Sequence, residues 1–318
     1  MSKHVVLTLT VVLLLSACAP AAVSTTKPED PTLRIGTLPI LDLLPLFVAD
    51  KQGYFKEQGI TVTFVPAQSA AERDQLMQAG QIDGMNNDMV SVALYNKDVV
   101  KIKVVRTAIQ ATPTWSEFSI FAAPGSGIKS AADLKGVEIG VSQATVIEYV
   151  TARLLMDAGL AASDIKTTNV IKIADRMQLL GSGQLKAATL PEPLATLAEQ
   201  QGAVRLVPDA KDPDHSNSVI TFAAQALKDK PQTVRKFLAA YEKAVGDVNA
   251  DPTKWQPLLN ENKIIPTGLT TYKLPPFPKA SVPSEAQFTD VQKWMKEKGI
   301  LSTDVPFANL VDASFLPK

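Results

Sequence analysis

From Thr32 onward, short apolar strand-like segments alternate with amphipathic helical patterns, and this alternation constrains the fold more than any other feature. A chain that repeats strand and helix in this way builds an α/β protein whose mainly parallel sheets are covered by helices. Leu33-Arg34-Ile35-Gly36 is the first strand, followed by a helix over Leu44 to Asp50 and a closing Gly53-Tyr54-Phe55. Thr61 to Val65 form the next strand. Ser69 and Glu72 then make a capping box, in which both side chains answer exposed backbone N–H groups, and Gly80 ends the helix they open. Ser130 and Asp133 repeat the box.

Further on, Val137 to Val141 read as a strand, and Val146, Ile147, Val150, Leu154, Leu155 and Ala158 share one helical face. Pro231 opens a long helix with an apolar stripe of Val234, Phe237, Leu238, Tyr241, Val245 and Val248. Ser284 to Lys298 carries Phe288, Val291, Trp294 and Met295 on one side. Stripes of this spacing are core and require no cofactor. Phe118-Ser119-Ile120-Phe121-Ala122-Ala123 and Val219-Ile220-Thr221-Phe222-Ala223-Ala224 resemble each other and enclose a self-contained β/α region. They are expected to be two crossover strands acting as a hinge, with residues 32–117 plus 225–318 forming lobe I and residues 118–224 forming lobe II. A doubly crossed, two-lobed chain places its ligand between the lobes and closes by hinge bending.

The N-terminus has the features of an export signal. Lys3 precedes the apolar run from Val5 to Leu15, which is too short for a permanent membrane span. Leu15-Ser16-Ala17-Cys18 then resembles the lipobox of bacterial lipoproteins, which implies a signal peptide over residues 1–17 and lipidation of Cys18. Residues 18–31 hold three prolines and no apolar period, so they are expected to be a flexible tether. The expected location is extracytoplasmic, on a membrane through the lipid anchor.

Composition narrows the chemistry. The 32 basic and 32 acidic residues balance, which leaves no basic excess for nucleic acid. Cys18 is the only cysteine, and His215 is the only histidine besides His4, so a Cys/His zinc site has too few ligands. His215 lies in Lys-Asp-Pro-Asp-His-Ser-Asn, which reads as an exposed turn. Neither a catalytic residue, a metal nor a cofactor is expected.

Four passages, in order, resemble the bacterial ABC-importer solute-binding family that includes nitrate, sulfonate, taurine and thiamine-pyrimidine-precursor binders. They are Pro45 to Ile60, with Gly53-Tyr54-Phe55 at its centre, Gln78 to Gly84, Ser130 to Gly140 with Asp133-Leu134-Lys135-Gly136, and Leu180 to Pro193 ending in Glu192-Pro193. Lys186 stands where the family pattern has aspartate. The resemblance implies a two-lobed periplasmic-binding-protein fold of type II, a monomer, a small-molecule ligand, and a permease and ATPase as partners. A ligand sensor docking on a signalling receptor would share the fold. The family's fungal enzyme branch relies on a histidine and a cysteine-rich iron-binding segment that this chain lacks.

Strand tips at the expected cleft present the candidate ligand residues Leu38, Asp42, Asn87, Asp88, Arg106, Ser142, Gln143, Thr145 and Glu192, with Trp115 just before the first crossover. Ser142 to Thr145 precede a helix, whose N–H groups either hold a ligand's anionic or carbonyl group or are simply capped there. Asp88 likewise serves as an N-cap or a ligand contact. Three carboxylates against Arg106 point to a neutral or cationic nitrogen-containing heterocycle or amine; the alternative is a sulfonate- or nitrate-type anion. Arg176 reads most simply as a solvated helix residue; the alternative is a role at the cleft rim.

Overall fold

The computed structural model describes residues 28–269 and 272–317. The expected signal peptide, Cys18 and the tether up to residue 27 lie outside the described residues. No helix among the described residues is long and apolar enough to cross a membrane.

The first half of lobe I runs β1 (Thr32–Thr37), α1 (Leu44–Lys51), α2 (Tyr54–Glu57), β2 (Thr61–Pro66), α3 (Ala70–Gln78), β3 (Gly84–Asp88), α4 (Met89–Tyr95) and β4 (Ile102–Gln110). The chain then crosses to β5 (Phe118–Ala122), β6 (Glu138–Val141), α5 (Val146–Asp157), β7 (Lys166–Asn169), α6 (Ile173–Gly181), β8 (Ala187–Pro191), α7 (Leu194–Gln200) and β9 (Val204–Pro208). It returns through β10 (Asn217–Ala223) to α8 (Ala224–Asp229), α9 (Pro231–Ala250), α10 (Pro252–Glu261), α11 (Glu285–Glu297) and α12 (Phe307–Leu310).

Two five-stranded sheets result, ordered β2-β1-β3-β10-β4 and β7-β6-β8-β5-β9. Each is mixed. In the first, β1 runs parallel to β2 and β3, while β10 lies antiparallel between β3 and β4. In the second, β6 is parallel to β7 and β8, and β5 is antiparallel to β8 and β9. Every residue of β3, β5 and β8 is buried, as strands covered on both faces must be. Gly84 is required where β3 meets β10, because a Cβ there would stand 2.7 Å from the Phe222 ring and 3.0 Å from the Thr221 carbonyl oxygen.

The sequence boundary at residue 224 differs from this topology. β10 pairs along its whole length with β3 and β4, so it belongs to the first sheet, and the second sheet ends with β9. An apolar strand destined for burial on both faces reads the same in either sheet, so composition alone does not assign it. The segment from Ser130 also differs. Its capping box forms, but it opens a single 3₁₀ turn, Ala131–Leu134, because Gly136 takes φ 73° and β6 begins two residues later.

The stripes fill the core. On α9, Phe237 stacks on Phe55 and meets Phe222 edge-on, each with ring centroids 5.4 Å apart. The lobes also touch beside the hinge, where Arg153 on α5 pairs with Asp290 on α11 at 2.8 Å and Glu148 with Lys298 at 2.9 Å. The two crossings run side by side. Asp209, leaving β9, accepts the backbone N–H groups of Glu117 (3.0 Å) and Phe118 (2.8 Å) as the chain enters β5.

Candidate functional site

The strand tips of both sheets face a cavity of about 500 Å³ that is partly open to solvent.

Lobe I contributes Leu38, Ile40, Arg73, Asn87 and Asp88, and β10 adds Ser218. Lobe II contributes Phe118, Ser142, Thr145, Ile147, Ile171 and Arg176. Apolar side chains make up about half of the wall, and polar and charged groups from both lobes lie between them.

Two arginines on this wall differ in their surroundings. Arg73 is buried and fully engaged: its guanidinium is 2.8 Å from Asp74, 3.5 Å from Asp88, and donates to the Asn86 carbonyl at 3.2 Å. Arg176 on α6 is also completely buried, but donates only Nη1, to the Val170 carbonyl at 2.8 Å. Its Nε and Nη2 have no partner among the described residues. Burial lowers its guanidinium to about 10, which still leaves it charged near neutrality. Across the cavity, Asn87 donates Nδ2 to Thr221 at 3.3 Å, and its buried Oδ1 is unpartnered.

The sequence candidates divide into two groups. Leu38, Asn87, Asp88, Ser142 and Thr145 stand on the cavity wall. Asp88 also caps α4, accepting the Ser91 N–H at 2.9 Å. Thr145 caps α5, accepting from Ile147 N–H at 3.2 Å and donating to the Ser142 carbonyl at 2.7 Å. The N–H groups of Gln143 and Ala144 are already bound to Asn169 (3.2 Å) and Glu148 (2.8 Å), so they are not free donors for an anion. Gln143 itself is exposed.

The others lie off the wall of this cavity. Arg106 is held by Glu242 and by the Pro278 carbonyl at 2.8 Å, and rests on the Tyr241 ring. Glu192 accepts from Thr196 Oγ1 at 2.7 Å and from Arg205 at 3.3 Å, and shares a separate, shallow depression with Trp115. Asp42 is buried behind the wall, where Asn86 donates to it at 2.9 Å. Arg73, Phe118 and Ser218 are not singled out by the sequence, and Arg176, read there first as solvated with the cleft rim as the alternative, is buried on the wall. Arg176 nevertheless carried a signal: it lies three residues after Ile173 and four before Leu180, on the same helical face as the buried Met177.

Behind the cavity, Ser218 donates to Glu117 Oε1 at 2.6 Å, and Glu117 Oε2 has no partner. Burial, and then the nearby Asp42 carboxylate, push the Glu117 carboxyl well above its ordinary value, so it favours the neutral acid.

Two sheets joined by paired crossings around this cavity define a two-lobed architecture, and solved structures share it. The alkanesulfonate-binding protein SsuA from Xanthomonas axonopodis pv. citri, bound to MOPS, superposes with a TM-score of 0.73 at 18% identity, covering 90% of this chain and 99% of that one. The nitrate-binding protein NrtA from Synechocystis gives 0.74 at 14% identity, covering 91% and 88%. The fold is that of the periplasmic binding proteins. Residues 41–255 match the family model described as NMT1/THI5 like, and the chain belongs to that family. The riboflavin-binding protein RibY of Chloroflexus aurantiacus is 25% identical over 279 residues, spanning 79% of this chain and 76% of that protein.

The Glu117 carboxyl makes stability depend on pH with a definite sign. A carboxyl raised in the folded state stabilises fully below its unfolded value, near 4.5, and that stability is lost as pH rises through the folded value. Urea midpoints of the wild type should therefore fall relative to Glu117→Gln as pH is raised above that point. Parallel pH profiles for the two proteins would show that Glu117 does not carry a raised value.

Proposed function

We propose that this chain is the extracytoplasmic solute-binding component of an ABC importer, which takes up a small organic molecule between its lobes and delivers it to the permease. The observation that carries the ligand reading is the fully buried Arg176 guanidinium on the cavity wall, whose Nε and Nη2 have no partner among the described residues. A buried charge without a counter-charge is costly, and an anionic ligand group offsets that cost by making charge-assisted bonds to Nε and Nη2. The unpartnered Oδ1 of Asn87 on lobe I calls for an N–H or O–H donor. A nitrogen-containing organic anion meets both requirements, and because its two ends engage opposite lobes it favours the closed state.

Family membership and the similarity to proteins named for binding alkanesulfonate, nitrate and riboflavin support binding rather than catalysis. A purely cationic amine fits less well: Asp42 and Glu192, which motivated it, are engaged elsewhere, and Asp88 is engaged by Arg73 and the α4 N-terminus. We further propose that Cys18 carries the lipid anchor. Cys18→Ser should release the protein from the membrane fraction of its native host, whereas unchanged retention would exclude a Cys18 anchor.

The ligand reading is tested by thermal shift and calorimetry against sulfonates, aminosulfonates, amino acids, nitrate, pyrimidines and flavins. An organic anion should raise the melting temperature, and Arg176→Gln should weaken it by roughly 30-fold or more, the lower range for breaking a buried charge pair. Arg176→Met should stabilise the ligand-free protein, because it removes an unpaired buried charge. Stabilisation by uncharged compounds alone, or full affinity in Arg176→Gln, would overturn the ligand assignment.

A further inference from the structure

Away from the cavity, Asp157, Asp212 and His215 converge where the chain leaves lobe II for β10. His215 Nε2 lies 2.9 Å from Asp157 Oδ2 and 3.4 Å from Asp212 Oδ2, and the three nearest side-chain ligand atoms all lie within 4.8 Å of one another. Asp157 ends α5, whereas Asp212 and His215 are three residues apart in the turn before β10. The two aspartate side chains are about half exposed, at 49% and 44%, so the group is open to solvent.

The opposite edge of the imidazole fixes its orientation. Tyr149 donates its hydroxyl proton to Asp290 Oδ2 at 2.7 Å, which leaves the phenolic oxygen as an acceptor for His215 Nδ1 at 3.2 Å. Nδ1 is thereby turned toward Tyr149 and Asp290, and Nε2 faces the Asp157 and Asp212 carboxylates. A cation at that point would replace the Nε2–Asp157 hydrogen bond and draw all three ligand atoms to itself. Metal-ligating histidines commonly have this outer geometry, with the second ring N–H fixed by a partner that is itself hydrogen-bonded to a carboxylate.

We propose that Asp157, Asp212 and His215 bind a divalent transition-metal ion of the zinc type, with water completing the tetrahedron. Bonds of about 2.0–2.2 Å to nitrogen and oxygen in a tetrahedron separate neighbouring ligand atoms by roughly 3.3–3.5 Å; the two Nε2 distances of 2.9 and 3.4 Å are near that spacing, and side-chain rotation of the two exposed aspartates closes the rest of a set already within 4.8 Å. Two carboxylates and a neutral imidazole match a divalent charge, and the imidazole nitrogen favours zinc, nickel or copper over magnesium or calcium. The site departs from the sequence expectation of no metal, because Asp157 is distant in sequence from the other two ligands. The ion would tie the end of α5 to the segment entering the second crossing, independently of the solute cavity.

The test is calorimetric titration of the untagged, chelator-stripped chain with Zn²⁺, with Mg²⁺ as the comparison. One Zn²⁺ per chain is expected, weakened at least about tenfold by His215→Ala and by the Asp157→Asn, Asp212→Asn double variant. A ¹⁵N NMR titration of the wild type covers the case in which a variant fails to fold, and the His215 Nε2 resonance should shift on adding Zn²⁺. Substoichiometric binding, unchanged affinity in the variants, equal affinity for Mg²⁺, or an unmoved Nε2 resonance would each overturn the site.

Discussion

A full positive charge with only one carbonyl to answer it sits at the meeting point of the two lobes. Arg176 is as buried as Arg73, yet Arg73 has two aspartates beside it and Arg176 has none among the described residues. Proteins rarely leave a charge in that condition, because the interior cannot replace the water it has lost. The economical explanation is that the missing partner arrives with the ligand. The protein would then accept a loss of stability when empty in return for a steep preference for the occupied state.

The topology explains how one ligand can act on both lobes. Because β10 returns into the first sheet between β3 and β4, the two crossings are held adjacent, and Asp209 clasps them through the backbone of Glu117 and Phe118. Bending at this pair changes the gap between the strand tips while leaving each sheet intact. Asn87 and Asp88 stand on one side of the gap and Arg176 on the other. A molecule spanning them substitutes its own polar groups for water on both walls. The ion pairs of α5 with α11 and Lys298 lie beside the hinge rather than across the cavity, so closure does not depend on the ligand breaking them.

Much of this fold was legible from periodicity. Val234, Phe237, Leu238, Tyr241, Val245 and Val248 are all buried on α9, and Phe288, Val291, Trp294 and Met295 on α11, because helical spacing alone puts them on one face. Charged residues were harder to place, for a physical reason. Whether Arg106 faces a ligand or Glu242, or Glu192 faces a ligand or Arg205, depends on a partner whose position in space is not encoded by local pattern. The carboxylate excess inferred at the strand tips therefore overstated the negative charge at the cavity. Arg176 was hidden differently: a guanidinium looks solvated by composition, and only its place on an otherwise apolar helical face marks it as buried.

The most direct test of this account is a crystal structure of the protein with the ligand retained through purification or identified by screening. An anionic group should lie within hydrogen-bond distance of both Arg176 Nε and Nη2, with a donor group on Asn87 across the cavity. A ligand bound elsewhere, or one that occupies the cavity while Arg176 keeps only the Val170 carbonyl, would contradict the claim that the solute completes this buried charge.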